Sequence, residues 1–399
     1  MKKILLTLII LFSFINVSAL EISSENYALY NLNNNEIVLE KNKDEFTQIA
    51  SLTKIMTTIV AIENIENFDE TITMTSEMFR GLYEQNAYQI GLRVGEKVTY
   101  NDLLYGTLIA SGADATRGLT ISIAGSEEAY VELMNKKAKE LKLKNTIFKN
   151  PVGLDEEGQG STLDDVATML SYALKNEKFR TIFETQSYTL TNGRISFGSS
   201  MLGYARNYGY EVSYIKGSKT GYTLDAGRCL ASIAYDKEND INYMLITTKA
   251  STDKKQAYHV LDAVNIYNYY FENYKYHTIL EKGKLLTTIK VKDSKLEEIK
   301  IENKNEIKKY LKNDYNTDDI KIEYEGKEEV NFKDKKGDKL GVVKLYYQDK
   351  EVNSIDIYLE EEIKFNLFSH ILQSKIRISL VGVIFAGIIL LIIKKGAKI

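Results

Sequence analysis

Three short motifs supply the residue types needed for a serine nucleophile that is deprotonated by a lysine. They are "SLTK" starting at Ser51, "SGAD" starting at Ser111 and "SKTG" starting at Ser218. A serine hydroxyl becomes a strong nucleophile only when a nearby base removes its proton, and a lysine with a lowered pKa can be that base. The order Ser-x-x-Lys, Ser-x-x and Lys-Thr-Gly is typical of acyl transfer through a serine ester.

The order of the motifs is more informative than any one of them. Ser-x-x-Lys occurs three times in the chain, beginning at Ser51, Ser213 and Ser251, and a lone serine at a helix start is commonly an N-cap. Lys-Thr-Gly is likewise common where a strand enters a turn. The complete ordered set makes Ser51 the candidate nucleophile.

Hydrophobic periodicity predicts how the motifs are positioned. Apolar residues at helical spacing follow Ser51, so Lys54 lies on the same helix face one turn later. Ser111 falls in a loop after an apolar helix, and Lys-Thr-Gly ends a strand. The predicted strands are 27–31, 37–39, 214–220, 228–235 and 241–247, and the predicted helices are 52–60, 103–110, 128–143, 162–176 and 255–273. Helices packed on an antiparallel sheet, an α+β fold, are therefore expected.

Composition excludes several classes of protein. The 399 residues carry a formal net charge of −3 and include one cysteine and three histidines. No basic run or nucleic-acid motif is present, so a nucleic-acid partner is not expected. His259, His277 and His370 are far from the serine motifs in sequence, which argues against a histidine triad or a zinc peptidase. Cys229 is expected to be a buried strand residue, and neither a metal nor a cofactor is expected.

The two ends of the chain predict export and a membrane anchor. Lys2, Lys3 and the apolar run after them indicate a signal peptide over 1–19, with an uncleaved anchor as the alternative. Near the other end, the apolar residues 376–393 would span about 27 Å as a helix, enough to cross the hydrocarbon core. The lysines after it suit a cytoplasmic tail over 394–399. We expect a single-pass protein of the cell membrane, with its catalytic domain outside and its C-terminus in the cytoplasm.

The chain between these ends is expected to form two domains. Residues 20–275 contain all three motifs and are expected to form the catalytic domain. Strand-like segments rich in lysine and glutamate follow in 276–362 and predict a small β-rich domain, for which a spacer role and a substrate-docking role are both open. Apolar residues at helical spacing in 363–375 predict an amphipathic segment on the membrane surface.

The chain resembles a known family in four stretches, "IASLTKIMT", "LLYGTLIASGADAT", "FKNPVGLDEEG" and "GSKTGYTLDAGRCLA". They are similar to the low-molecular-mass penicillin-binding proteins, the serine D-alanyl-D-alanine carboxypeptidases of bacterial cell walls. The similarity covers nearly all of 21–273. It implies a penicilloyl-serine-transferase (β-lactamase-like) fold followed by a β-rich domain and a C-terminal anchor. The implied activity is removal of the terminal D-alanine from peptidoglycan stem pentapeptides, with acylation by β-lactam antibiotics.

The resemblance also implies catalytic roles. Ser51 would be the acyl-ester nucleophile, Lys54 its general base, and Ser111 the group that passes a proton to the leaving D-alanine. Lys54 can act as a base only if its pKa falls, and burial next to a second cation, Lys219, is expected to lower it.

The same resemblance implies a substrate-binding strand. Lys219 and Thr220 would hold the substrate's terminal carboxylate, and Gly221 would let the substrate backbone approach closely. The backbone N–H groups of Ser51 and Tyr222 would form an oxyanion hole. The peptide is expected to lie antiparallel along this strand.

One residue departs from the family's pattern. The second motif usually has an asparagine two residues after its serine, and Ala113 stands there. Restoring that asparagine is expected to raise the rate, because one hydrogen bond to a charged group is worth about 1.5 to 3 kcal/mol. The departure leaves a non-catalytic, wall-binding protein as one alternative. A β-lactamase is the other, although the glutamate and Leu-Asn pair usual for its deacylation are absent from "NPVGLDEEGQGSTLDD".

Overall fold

The computed structural model describes residues 20–373 and 387–389. The chain divides into two compact units, with the boundary between Glu272 and Asn273. The predicted signal peptide (1–19) and tail (394–399) lie outside the described residues, as does the predicted span (376–393) except for 387–389. Within the described ranges, no helix has both the length and the apolar character needed to cross a membrane.

A five-stranded antiparallel sheet is the centre of the first unit. Its strands are β1 (Asn26–Asn31), β2 (Glu36–Lys41), β7 (Ile215–Thr223), β8 (Gly227–Asp236) and β9 (Ile241–Ala250). The strand order is β2-β1-β9-β8-β7, so the N-terminal hairpin pairs with the last of three consecutive strands. The strand β7, which contains Lys-Thr-Gly, is therefore at one edge of this sheet. An extended peptide can add itself to such an edge.

Helices pack on this sheet and form the rest of the first unit. They are α1 (Lys54–Asn64), α2 (Tyr100–Leu108), α3 (Ala113–Ala124), α4 (Glu127–Glu140), α5 (Leu163–Ala173), α6 (Glu177–Phe183), α7 (Ser200–Tyr208) and α8 (Tyr258–Asn273). Two short hairpins occur among them, β3 (Thr71–Thr73) with β4 (Lys97–Thr99), and β5 (Ser187–Thr189) with β6 (Ser196–Gly198). The side chains of Thr99, Ser126 and Thr162 cap α2, α4 and α5 by accepting backbone N–H groups of the first turn.

The helix α1 lies in the middle of the core. Each of its residues from Lys54 to Ile62 is buried, and α2 to α6 all contact it. A helix that is apolar on nearly all faces is stable only when other elements surround it. This burial fixes the position of the start of α1, which carries the first motif.

The second unit is rich in strands and has its own apolar core, with buried Ile289, Val343 and Leu345 among its members. Its strands are β10 (Tyr274–Leu280), β11 (Leu285–Val291), β12 (Glu298–Glu302), β13 (Ile307–Lys312), β14 (Ile320–Gly326), β15 (Glu329–Val330), β16 (Lys339–Tyr347) and β17 (Lys350–Tyr358). They form three small sheets, β10-β13, β12-β11-β15 and β14-β16-β17. A short helix, α9 (Leu367–Gln373), follows them.

The predicted α+β architecture with a β-rich second domain is confirmed, and each predicted strand and helix overlaps an observed one. None of the predicted helices with stated bounds corresponds to α3, α6 or α7. In α7 only Met201 and Ala205 are buried, so its glycine and polar residues give no clear apolar period. This omission matters because α7 lines the cleft described next.

Candidate active site

Ser51 lies in a single turn of 3₁₀-helix, Ala50–Thr53, that leads into α1. Ala50 has a left-handed backbone conformation, φ 45°, which is uncommon for a residue with a side chain and indicates that the surrounding packing holds the turn. The Ser51 hydroxyl caps neither this turn nor α1. The N-cap interpretation of Ser51 is therefore wrong, and its hydroxyl is free for another role.

Lys54 is fully buried beneath the nucleophile. Its Nζ donates to Ser51 Oγ at 3.1 Å and to the backbone carbonyl of Val152 at 2.6 Å. Burial lowers the pKa of Lys54 to about 7, and the negative charge of Asp114 opposes that change. The charge of Lys219 was expected to lower the pKa of Lys54. The structure shows the reverse effect, in which the charge of Lys54 lowers the pKa of Lys219. Burial is thus the main reason that Lys54 can be neutral near pH 7.

The carbonyl that accepts from Lys54 belongs to a tightly held loop. Asn150 Oδ1 accepts from the backbone N–H groups of Gly153 at 2.7 Å and Leu154 at 3.1 Å. Gly153 has φ +82°, and a Cβ there would be 2.1 Å from the backbone oxygen of Ala50. Only glycine fits this contact, and Asn150 sets the curvature of the loop. Together they aim the Val152 carbonyl at the lysine.

Ser111 and Lys219 form a second hydrogen-bonded pair. Lys219 Nζ donates to Ser111 Oγ at 2.8 Å and to the backbone carbonyl of Thr220 at 2.7 Å. Lys219 is 1% exposed, and burial together with the charge of Lys54 lowers its pKa well below the ordinary value. Ser111, like Ala50, has a positive φ, 66°. A proton can move between this serine and lysine over a single hydrogen bond.

In the second motif, Ala113 replaces the family's asparagine, and the next residue, Asp114, has a structural role. Ala113 is 1% exposed and packs with Leu82 and Val152. Asp114 is buried, and its carboxylate accepts from the three successive backbone N–H groups of 90–92. The Asp114 carboxylate thus holds the loop 90–92 in place. It does not take the place of the asparagine side chain that the family has at position 113. The Val152 carbonyl is the acceptor that Lys54 uses.

The strand β7 touches the nucleophile's turn at Gly221. A Cβ at Gly221 would be 2.9 Å from the Ser51 backbone nitrogen and 3.0 Å from Ala50 Cβ. The absence of a side chain at Gly221 lets the Ser51 backbone lie close to β7, and the approach of a substrate backbone to Gly221 stays a prediction. Thr220 Oγ1 lies 2.5 Å from Ser200 Oγ of α7, and Tyr222 is 54% exposed.

A cleft of about 600 Å³ brings most of the predicted site residues together. It is lined by six of the seven, namely Ser51, Lys54, Ser111, Thr220, Gly221 and Tyr222. Lys219 lies behind them, under Ser111. Cys229 is buried in β8 as predicted, and burial raises the pKa of its thiol to about 12. The chemical roles of the seven predicted site residues remain predictions.

Sequence reasoning missed Tyr204, Arg228 and His259, which also line the cleft. Arg228 follows a turn seven residues after Gly221, and a charged residue pairing with the motif strand could have been noticed from the predicted hairpin. His259 is remote from the three motifs in sequence, and only the packing of α8 brings it to the cleft. Tyr204 belongs to the unpredicted α7.

Family models match both units of the chain. Residues 14–251 match the model of the D-alanyl-D-alanine carboxypeptidases, and residues 274–364 match that of the penicillin-binding protein 5 C-terminal domain. The D-alanyl-D-alanine carboxypeptidase DacF of Bacillus subtilis is 30% identical over 333 residues, which are 82% of this chain and 83% of the relative.

Solved structures agree in fold. The D-alanyl-D-alanine carboxypeptidase DacD from Francisella tularensis has a TM-score of 0.66 at 22% identity, over 87% of this chain and 95% of that one. The Streptomyces K15 DD-transpeptidase has a TM-score of 0.55 at 27% identity, over 62% of this chain and 97% of that one. The first likeness concerns the fold alone. With the family matches and the arrangement around Ser51, these findings show that the chain belongs to the D-alanyl-D-alanine carboxypeptidase family of serine peptidases.

Proposed function

We propose that the protein is a serine-type D-alanyl-D-alanine carboxypeptidase that removes the terminal D-alanine from peptidoglycan stem peptides. The observation that carries the proposal is the 3.1 Å hydrogen bond between Lys54 Nζ and Ser51 Oγ, made by a fully buried lysine. Family membership supports both the substrate class and acylation by penicillin. The enzyme trims stem peptides during synthesis and remodelling of the cell wall.

Acylation begins when neutral Lys54 takes the proton of Ser51 Oγ. The oxygen attacks the carbonyl carbon of the penultimate D-alanine, and the backbone N–H groups of Ser51 and Tyr222 stabilise the developing oxyanion. Ser111, hydrogen-bonded to Lys219, passes its proton to the leaving nitrogen and regains one from protonated Lys54, so that Lys54 is neutral again before water arrives. The peptide C–N bond breaks, D-alanine departs, and the shortened peptide remains as an ester on Ser51.

Water completes the reaction. Lys54 takes a proton from the water as its oxygen adds to the ester carbonyl, and the proton returns to Ser51 Oγ when the ester bond breaks. Among the described residues that line the cleft there is no aspartate or glutamate. A β-lactamase needs an efficient deacylating carboxylate, so this lining favours a carboxypeptidase over a β-lactamase.

The direct test is release of D-alanine from a pentapeptide ending in D-Ala-D-Ala by the purified protein. We expect release that is stopped by prior incubation with penicillin, and none from the same peptide ending in L-Ala-L-Ala. Labelling by penicillin without any release of D-alanine would contradict the proposal and would indicate a non-catalytic binding protein.

The rate of acylation is expected to rise with pH through about 7. Lys54 must be neutral to act, and its pKa is lowered to about 7, so the reactive fraction falls about tenfold for each pH unit below that value. The measurement is the acylation rate by a fluorescent penicillin between pH 5 and 9. A rate that stays flat across this range would show that Lys54 is not the base.

Ala113→Asn is expected to slow acylation, contrary to the expectation from sequence. Ala113 packs against Leu82 and Val152, and a larger side chain in such packing costs about 1 to 3 kcal/mol of folding stability and displaces its neighbours. Displacement of Val152 would move the carbonyl that accepts from Lys54, and this movement is the expected cause of the slower acylation. Lys54 already donates to the Val152 carbonyl. The carboxamide of an asparagine at position 113 would therefore add no hydrogen bond that Lys54 lacks. We expect a rate at least about tenfold lower, measured with penicillin and with peptide, and a faster variant would contradict this prediction.

The proposal extends to cellular location. The protein is exported by its signal peptide (1–19) and held in the membrane by residues 376–393, with the short tail (394–399) in the cytoplasm. The exposed apolar side chains of α9 support contact with the membrane surface, because Leu367 is 62% and Phe368 71% exposed.

Two truncations test this location. Ending the chain at residue 374 should release most of the protein into the extracytoplasmic soluble fraction, with some surface adhesion left. Ending it at residue 362 should remove that adhesion as well. A protein that stays membrane-integral after either truncation would show that the N-terminal segment is the anchor.

A further inference from the structure

Asp293 ties the helix α9 to the β-rich second unit. The backbone carbonyl of Asp293 accepts from the Asn366 N–H at 2.7 Å, and its carboxylate lies 2.8 Å from His370 Nδ1. The backbone N–H of Asp293 donates to Gln373 Oε1 at 2.8 Å. Residues 366, 370 and 373 recur at helical spacing. One face of this helical segment is therefore bound to the loop 292–297, which follows β11.

The other face of α9 carries apolar side chains on the protein surface. Leu367, Phe368 and Leu372 are exposed, and no residue of α9 is buried. Because the contacts of Asp293 hold the opposite side of the helix, these three side chains cannot turn towards the core of the second unit. A group of exposed apolar side chains of this kind marks an interaction surface.

A second loop extends this apolar surface onto the β-rich unit. The strands β11 and β15 are parallel neighbours, so the loops that follow them, 292–297 and 331–338, leave the same end of the sheet. Phe332 of the second loop contacts Phe365, with the ring centroids 4.9 Å apart. Both rings are exposed, and so is Leu296 of the first loop. The surface thus includes both loops and α9.

Lysines lie next to these apolar side chains. Lys333, Lys335 and Lys336 are exposed in the loop 331–338, and within the described residues none of the three forms an ion pair. Both aspartates of this loop already accept hydrogen bonds from the loop backbone or from another lysine. Exposed glutamates at 361 and 362 balance part of the charge, so attraction for an anion is local to the three lysines.

The length of chain after α9 determines what lies next to this surface. Gln373 ends α9, and the apolar stretch that we propose to span the membrane begins at residue 376. Three residues of chain reach at most about 11 Å in any conformation. Because the Gln373 side chain is bonded to Asp293, the loop 292–297 must lie close to the point where the chain enters the membrane. The loop 331–338 lies beside it.

We propose that α9 and the loops 292–297 and 331–338 form one docking face for the surface of a phospholipid bilayer. The inference rests on the proposed membrane attachment and adds that the β-rich unit itself touches the bilayer. The exposed apolar side chains enter the boundary between headgroups and acyl chains, and the lysines contact lipid phosphates with their charges in water. The contacts of Asp293 then give the second unit a fixed orientation on the membrane.

The experiment places a fluorescent label on the docking face of the full chain. Cys229 is buried, so a thiol reagent labels only an introduced cysteine. Lys336→Cys puts the label on the face, and Lys350→Cys puts it beyond the other end of β16, roughly 27 Å along that strand. Each protein is reconstituted into vesicles of phosphatidylglycerol and phosphatidylcholine that contain a lipid with a nitroxide near its headgroup. We expect quenching and a blue-shifted emission at 336 and neither at 350.

Two variants test which groups of the face touch the bilayer. Phe332→Ser should lower the ratio of docked to undocked label about threefold to tenfold, because it removes an exposed ring from the interface. Lys333→Gln together with Lys335→Gln should lower this ratio about twentyfold to thirtyfold, since each lysine near an anionic surface is worth about fivefold. Lys321→Gln together with Lys350→Gln is the matched control and should leave the ratio unchanged. All these residues are exposed, so circular dichroism should show an intact fold.

Flotation of the vesicles separates this inference from the proposed attachment. A chain that floats while the label at 336 stays as unquenched as the label at 350 would reject the docking face and keep the attachment. A chain that does not float would reject both. Shielding at 336 from acrylamide, a water-soluble quencher, without quenching by the lipid nitroxide would overturn the proposal in favour of a protein partner such as a second copy of the chain. Quenching that persists unchanged in both variants would also overturn it, because α9 alone would then make the contact.

Discussion

Replacing Ser51 by alanine is expected to abolish covalent labelling by a fluorescent penicillin and to lower the rate of D-alanine release by on the order of a millionfold. The hydroxyl lies 3.1 Å from Lys54 Nζ and faces the cleft, so its loss removes the atom that forms the ester. The variant should still fold, because the Ser51 side chain caps neither its own turn nor α1. Gel fluorescence measures the labelling, and peptide mass spectrometry locates the adduct.

Two other serines serve as matched controls for this experiment. Ser213 and Ser251 also begin Ser-x-x-Lys sequences, and neither is among the residues that line the cleft. Ser213→Ala and Ser251→Ala should be labelled as fully as the wild type. An adduct that persists in Ser51→Ala, or that maps to either control position, would reject Ser51 as the nucleophile.

Lys54→Arg is expected to reduce acylation by at least about ten-thousandfold, because a guanidinium stays protonated at pH 7 and cannot accept the serine's proton. Arginine keeps the positive charge and hydrogen-bonding capacity of the position while removing the ability to accept a proton. The acylation rate should be measured by rapid mixing with a chromogenic β-lactam, and circular dichroism should show an intact fold.

Lys219→Arg is the matched comparison. It keeps a donor next to Ser111, which is 2.8 Å from Lys219 Nζ, and we expect a loss of only about tenfold to a hundredfold. The larger head group must fit a site that is 1% exposed, which accounts for part of that loss. Equal losses in the two variants would argue against separate roles for the two lysines.

The parts of the site that depend on local structure could be predicted from the sequence. Ser51 and Lys54 are three residues apart at the start of an apolar helix, so helical geometry alone places them on one face. Lys219 and Thr220 lie on a strand whose apolar neighbours and following turn are visible in the sequence. The order of the motifs then indicates that these local pieces belong to one site.

The parts that depend on distant packing could not be predicted. The Val152 carbonyl that accepts from Lys54 is 98 residues away in sequence, and Ser111 is 108 residues from Lys219. A backbone carbonyl has no residue type that a pattern could detect. Arg228 and His259 come from β8 and α8, and only the packing of those elements brings them to the cleft.

The Val152 carbonyl has a consequence for natural selection on this enzyme. A backbone oxygen is present whatever side chain residue 152 carries, so substitutions there leave the lysine's acceptor in place. Selection that preserves the base must instead act on Asn150 and Gly153, which hold the loop and do not bond to Lys54. Under β-lactam exposure, changes at these two positions are expected to alter the reactivity of Ser51 while the three serine and lysine motifs stay unchanged. Surveys of resistant lineages that sequence the motifs alone will overlook them.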